Sequence, residues 1–170
     1  GYTLDDVLDN LLTRDLDALD ALDAPTLPPG YRLAIVDTPE RLIGRVEAHR
    51  VAFGPSELTR RQYERVQRTW PYRRELDQIV ETDTGDVVAF CTTWIDEENA
   101  AGLLEPVGAL PSHQRRGLAT AACRAGLIAL RAAGARTAQV ACSTLQARAL
   151  YESLGFTLVS EDTCYSKALP

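Results

Sequence analysis

This chain of 170 residues contains no Met, a single Lys (Lys167) and only two His (His49 and His113). Without an initiator residue it reads as a processed or cloned segment. With its one Lys so late in the chain, a lysine-based phosphate loop is excluded. No stretch approaches the ~20 apolar residues of a membrane span, and no basic-apolar leader opens the sequence. A soluble, cytoplasmic protein without a membrane partner is therefore expected. A basic excess is missing too, since 24 Asp and Glu stand against 18 Lys and Arg for a net charge of −6. Nucleic-acid binding favours a basic face, so this balance argues against a nucleic-acid partner. The four Cys (Cys91, Cys123, Cys142 and Cys164) show neither Cys-x-x-Cys pairing nor a neighbouring His. Metal-ligand spacing is thus absent and no metal is expected. The thiols read as free, buried as small apolar residues in a reducing compartment. Nearly all the bases are Arg, which reads as the codon bias of a GC-rich, bacterial genome.

What is present is unevenly placed. Residues 1–29 hold seven Asp against Arg14 alone, whereas the remaining 17 acids and 17 bases cancel. Over residues 3–22 the apolar Leu4, Val7, Leu8, Leu11, Leu12, Leu19 and Leu22 recur every three or four positions, and Thr3 with Asp6 fits a capping box. This pattern predicts an amphipathic helical arm with an acidic outer face. The stretch Ala24-Pro25-Thr26-Leu27-Pro28-Pro29-Gly30 can neither continue a helix nor join a sheet easily, and reads as a linker. Residues 1–29 are accordingly expected as arm and linker. Residues 30–170 are expected as one domain, a length that suits a single well-buried core.

Within that domain residues 31–36 are strand-like, and Thr38-Pro39-Glu40 supplies an N-cap with Pro at the first helical position. Helices are expected over residues 39–52 and 56–69. The apolar period then shortens. Residues 76–82, 87–95 and 103–110 predict three strands, joined at Asp83-Thr84-Gly85-Asp86 and Glu97-Glu98-Asn99-Ala100 as an antiparallel meander. A helix over 118–130, a strand over 137–142, a short helix and two closing strands complete an α/β fold.

The run Gln114-Arg115-Arg116-Gly117-Leu118-Ala119 falls between the strand at 103–110 and the helix that follows. A helix N-terminus presents unpaired N–H groups and the positive end of the macrodipole, so this turn reads as a socket for a pyrophosphate. Gly117 lets the backbone come close. The dinucleotide fingerprint Gly-x-Gly-x-x-Gly is excluded by the single Gly, as the P-loop is by the missing Lys. What remains, Gln/Arg-x-x-Gly-x-Gly/Ala, resembles the signature of the GNAT superfamily, the acyl-coenzyme A dependent N-acetyltransferases. Farther on, Ala147-Arg148-Ala149-Leu150-Tyr151-Glu152-Ser153-Leu154-Gly155-Phe156 resembles the second hallmark of that superfamily, a short helix ending in Leu-Tyr-x-x-x-Gly-Phe. Gly155 suits the left-handed C-cap of such a helix. The element order also resembles the GNAT fold, a mixed, mostly antiparallel sheet flanked by helices, here preceded by the helical arm.

The resemblance implies an N-acetyltransferase that moves an acetyl group from acetyl-coenzyme A, the donor substrate, to a primary amine of a small molecule or peptide. The pantetheine arm is expected along the strand before the loop, at Ala109 and Leu110, in the manner of an added strand. The pyrophosphate is expected on Gln114, Arg115, Arg116, Gly117, Leu118, Ala119 and Thr120, where the two Arg add charge-assisted contacts. Thr144 stands where family members often carry an Asn, the position of a further coenzyme contact. Tyr151 occupies the position of the general acid, a phenol of ordinary pKa ~10 that can protonate a departing thiolate. Glu105, an isolated carboxylate in an apolar strand, is the candidate base, and burial would raise its pKa toward a useful range. Pro106 beside it signals a bulge that alters the face it meets, and a chain of waters is the alternative base. His49, Phe53, Trp70, Tyr72, Arg73 and Tyr165 are candidates to line the acceptor groove, where Arg73 and Arg74 would suit a carboxylate-bearing acceptor. His113 reads as a bystander to the loop. The family also admits a homodimer or one half of a tandem pair. The alternative function is a non-catalytic acyl-coenzyme A sensor or a degenerate half of such a tandem.

Overall fold

Thr38 caps the first helix as its sequence demands. Its side chain accepts from the Arg41 N–H, Pro39 fills the first turn, and α1 runs Pro39–Ala52. A capping box of Thr59 and Gln62 opens α2, Arg60–Val66, which is shorter than residues 56–69 promised because the cap lies at Thr59. Ahead of them β2 covers Tyr31–Ile35. Behind them β3 (Asp77–Thr82), β4 (Val87–Asp96) and β5 (Ala101–Ala109) form the expected antiparallel meander. Next come α3 (Leu118–Ala132), β6 (Thr137–Cys142), α4 (Leu145–Ser153) and β7 (Thr157–Ser166). The computed structural model describes residues 3–17, 24–54 and 56–167.

Strand alternation divides the apolar residues between two cores. Val80, Ala89 and Cys91 join α3 residues such as Ala122, Leu127 and Leu130 in the larger core. Their neighbours Ile79 and Phe90 instead meet Leu42, Val46 and Tyr63 from α1 and α2 in the smaller one. The sheet is therefore covered by helices from both sides. Among the described residues no helix is long and apolar enough to cross a membrane.

The N-terminal segment departs from its sequence reading. Thr3–Asp15 is a strand, β1, and not an amphipathic helix. It lies inside one seven-stranded sheet of order β2-β3-β4-β5-β6-β1-β7, antiparallel to both neighbours. The second closing strand expected at the carboxyl end is not found among the described residues, and β1 takes the place beside β7 instead. The apolar spacing misled for a physical reason. The pairing with β7 shifts register between Leu4/Asp6, Val7/Asp9 and Leu11/Leu12. The first two shifts add a residue to β1 and the third adds one to β7, so apolar positions along β1 recur at three as well as two and mimic a helical period. Leu12 and Leu16 are fully buried in the larger core. Leu19 and Leu22, the rest of the expected apolar face, lie outside the described residues.

Candidate active site

β5 and β6 run parallel but pair only where Ala101, Gly102 and Leu103 meet Thr137, Ala138 and Gln139. Beyond Leu103 they part. The cause is a bulge in the pairing with β4, where Cys91 faces Val107 but Thr93 faces Leu104, so Thr92 stands against both Glu105 and Pro106. The Pro106 signal is thus fulfilled. Leu110 donates its N–H to the Val88 carbonyl at 2.9 Å, and Gly108 stands opposite Phe90. Antiparallel alternation then turns the N–H and C=O groups of Val107 and Ala109 away from β4 and into the gap. The gap is a cleft of about 570 Å³, lined by Val107, Gly108 and Ala109 of β5, by the turn that follows, and by Gln146, Ala147, Leu150 and Tyr151. A Cβ on Gly108 would stand 2.5 Å from Phe90 Cζ, so glycine is what lets β5 pass so close to the smaller core.

One end of the cleft is the turn into α3. Arg115 and Gly117 take left-handed conformations, φ 58° and 76°. Nothing lies within 4 Å of where a Gly117 Cβ would be, so backbone strain and not lack of space favours glycine there. Gly117 is the N-cap and gives the helix no side-chain cap. Ala121 is the first residue of the turn whose N–H finds a carbonyl, that of Gly117. The N–H groups of Leu118, Ala119 and Thr120 have no acceptor among the described residues, and all three residues line the cleft. Such a nest of donors at a positive helix end is an anion site. Gln114 and Arg115 line it as well. Arg116 does not, because its guanidinium turns back to the Tyr31 hydroxyl at 2.7 Å and the Ser112 carbonyl at 3.3 Å.

The other end is Tyr151, held by the geometry that its motif encodes. Gly155, at φ 81°, donates to the Glu152 carbonyl at 2.9 Å, and Phe156 donates to that of Tyr151 at 3.1 Å. These are the paired bonds of a Schellman cap, and the apolar contact that accompanies them is made by Tyr151 and Phe156, edge to face at 5.9 Å. Arg14 of β1 binds the neighbouring Leu154 carbonyl, so the N-terminal strand also secures this helix end. Tyr151 is only 5% exposed. Burial, reinforced by Cys123, Cys91 and Cys142, pushes its phenol far above the ordinary value and keeps it protonated.

The family model for the acetyltransferase (GNAT) family matches residues 43–156, two thirds of the chain. The protein belongs to the GNAT acetyltransferase family. A GCN5-related N-acetyltransferase from Sphaerobacter thermophilus superposes with a TM-score of 0.80 at 21% identity, over 97% of this chain and 52% of that one. The ribosomal-protein-S18-alanine N-acetyltransferase of Escherichia coli gives 0.62 at 22% identity, over 76% and 79%. A tandem GNAT protein from the clavulanic acid biosynthesis pathway gives 0.73 at 19% identity, over 97% and 55%. At these identities the likeness is one of fold, and the chain spans about half the length of the first and third. No curated protein matches it.

Not every residue singled out in the GNAT sequence reaches the cleft. Leu110 packs against the smaller core. Thr144 caps α4, its hydroxyl accepting from Ala147 N at 3.2 Å. Glu105 is exposed at the bulge and not buried as expected, with its carbonyl bound by Trp94 Nε1 at 2.6 Å. The acceptor candidates are scattered. Trp70 is 85% exposed, Arg73 is ion-paired with Glu97, and the Tyr72 hydroxyl donates to Asp77 at 2.8 Å. Phe53, half exposed, does join a wall with His49 and Phe90, its ring 4.8 Å from that of His49. The His49 imidazole is pushed below its ordinary pKa by burial and then by Arg45.

Sequence reasoning missed the cluster behind that wall. Arg45 is fully buried on α1, its guanidinium 3.7 Å from the centre of the Phe90 ring and 3.2 Å from Thr92 Oγ1. Asp77 beside it accepts from Tyr63, Tyr72 and Thr92 at 2.6–3.0 Å. This network ties α1 and α2 to β3 and β4. No residue spacing announces an inward Arg among Leu42, Val46 and Ala48. Among the described residues no group of three or more His, Cys, Asp or Glu is arranged to hold a metal.

Proposed function

We propose that this GNAT domain transfers an acetyl group from acetyl-coenzyme A directly to a primary amine of a small molecule or peptide in the cytoplasm. The carrying observation is the cleft itself, in which a strand edge with no neighbouring strand leads from an uncapped helix N-terminus to a buried phenol. Val107 and Ala109 offer backbone groups to the amides of pantetheine as a neighbouring strand would. The N–H groups of Leu118, Ala119 and Thr120, with Arg115, hold the diphosphate. The acceptor nitrogen attacks the thioester carbonyl carbon, the C–N bond forms and the C–S bond breaks. Tyr151 gives its hydroxyl proton to the departing sulfur and regains one from solvent. The burial that raises the phenol's pKa raises the proton affinity of a thiolate held beside it as well, so the transfer stays matched. The acceptor nitrogen sheds two protons, one from its ammonium before attack and one once the C–N bond has formed, through water or to the exposed Glu105 carboxylate. Phe53 and His49 provide the wall nearest the acceptor.

A panel of amines and amino acids, with free thiol release followed over time, tests the reading. Tyr151→Phe is expected to slow release by about 100-fold, the scale of a general acid, with coenzyme affinity unchanged. An unchanged rate would remove Tyr151 from the chemistry. The partial span of the longer relatives, one of them a tandem protein, favours a second reading as a coenzyme-binding half of a tandem or of a dimer. Tight acetyl-coenzyme A binding without transfer to any amine would select it.

A further inference from the structure

Tyr31 lies on β2, outside the residues that the family model matches, yet it reaches the turn at the mouth of α3. Its hydroxyl accepts from Arg116 Nη1 at 2.7 Å and stands 3.1 Å from Nδ1 of His113, with the two rings edge to face at 5.9 Å. A guanidinium can only donate, so the phenol keeps its own hydrogen to give to Nδ1. An imidazole that accepts at Nδ1 carries its hydrogen on Nε2. In that pairing the one donor that His113 keeps for a ligand is Nε2–H. The ring that carries this donor lines the cleft together with Gln114, Arg115 and the uncapped first turn of α3.

We propose that His113 is a phosphate ligand of the coenzyme cleft, donating Nε2–H to a diphosphate oxygen, and that Tyr31 is the positioning residue that fixes its tautomer and ring plane. This rests on the coenzyme reading above. It assigns to the turn an imidazole N–H donor where the sequence offers Arg116, whose cation instead organises the turn from behind.

Calorimetric titration with coenzyme A and dephospho-coenzyme A, and the KM for S-acetylpantetheine, test the proposal on the whole chain. His113→Phe keeps the ring packing on Tyr31 and removes the donor. It is expected to weaken both diphosphate ligands about tenfold and to leave S-acetylpantetheine unchanged, which also shows that the variant is folded. Tyr31→Phe is expected to weaken coenzyme A about threefold, with no further loss in the His113→Phe background, because Tyr31 acts through His113. Nitrogen-15 NMR is expected to show His113 as the Nε2–H tautomer in the parent and as a mixture in Tyr31→Phe. Coenzyme affinity within twofold in His113→Phe would overturn the assignment, as would an equal loss for S-acetylpantetheine. A loss confined to ligands with the ribose 3′-phosphate would overturn it too, as would additive effects of the two substitutions. A parent protein that binds no coenzyme A would bring down the coenzyme reading and this inference with it, whereas binding that ignores both substitutions defeats the inference alone.

Discussion

Glu81 exposes 2% of its side chain and yet stays ionised, because Arg32 and Arg41 meet its two carboxylate oxygens at 2.7–3.0 Å. The two hydrogen bonds from Arg41 above all, and the one from Arg32, hold its carboxyl below the ordinary 4.5 against the opposing effect of burial. A depressed carboxylate stabilises the fold above its unfolded pKa, and that contribution disappears as pH falls through the folded value. Glu81→Gln is expected to cost about 1–2 kcal/mol at pH 7, since both Arg partners are partly solvated. The gap to the parent should close as pH falls below 4.5, read from urea unfolding at several pH values. A gap that ignores pH would show that shape and not charge is at stake. At this scale the candidate site was legible where spacing and backbone need coincide. Gly117 and Gly155 sit where left-handed backbone is required, and Tyr151 follows from Gly155 through the helix cap. Arg45 and the Tyr31–His113 contact were not legible, because each joins residues from separate elements that only the tertiary fold brings together.

Elements whose ends carry their own chemistry were read closely. Thr38 and Pro39 fixed the start of α1, and the bulge at Pro106 appeared where a strand proline leaves the ladder. β1 was misread because its register shifts erase the two-residue period that marks a strand, and because its partners lie more than 100 residues away. The difference is measurable. An arm that merely rests on the domain can be removed without changing its melting. β1 separates β6 from β7, and loss of residues 1–17 strips Leu12 and Leu16 from the larger core and the Arg14 contact from α4. A chain lacking residues 1–17 is therefore expected to lose its near-ultraviolet circular dichroism and its cooperative thermal transition. A deletion variant that melts like the parent would return the segment to the status of an arm.

For the molecule as a whole, the cleft between β5 and α4 is a place where ligand binding adds to stability. At a hundredfold excess over its dissociation constant a ligand of the native state contributes about 2.7 kcal/mol, which for a domain of this size raises Tm by roughly 5–10 °C. Acetyl-coenzyme A is expected to produce that shift in differential scanning calorimetry, and adenosine alone to produce little of it. No shift with acetyl-coenzyme A would mean that the cleft is not its site. The position of β1 has a consequence for the order of events during synthesis. Thr3 stands opposite Ser166, and Asn10 stands between Cys142 and Glu161. Within this domain β1 is made before every other strand, and both of its neighbours are made after all the rest. While the rest of the domain is being made β1 has bare edges on either side, and the sheet can be stitched shut only after β7 has emerged.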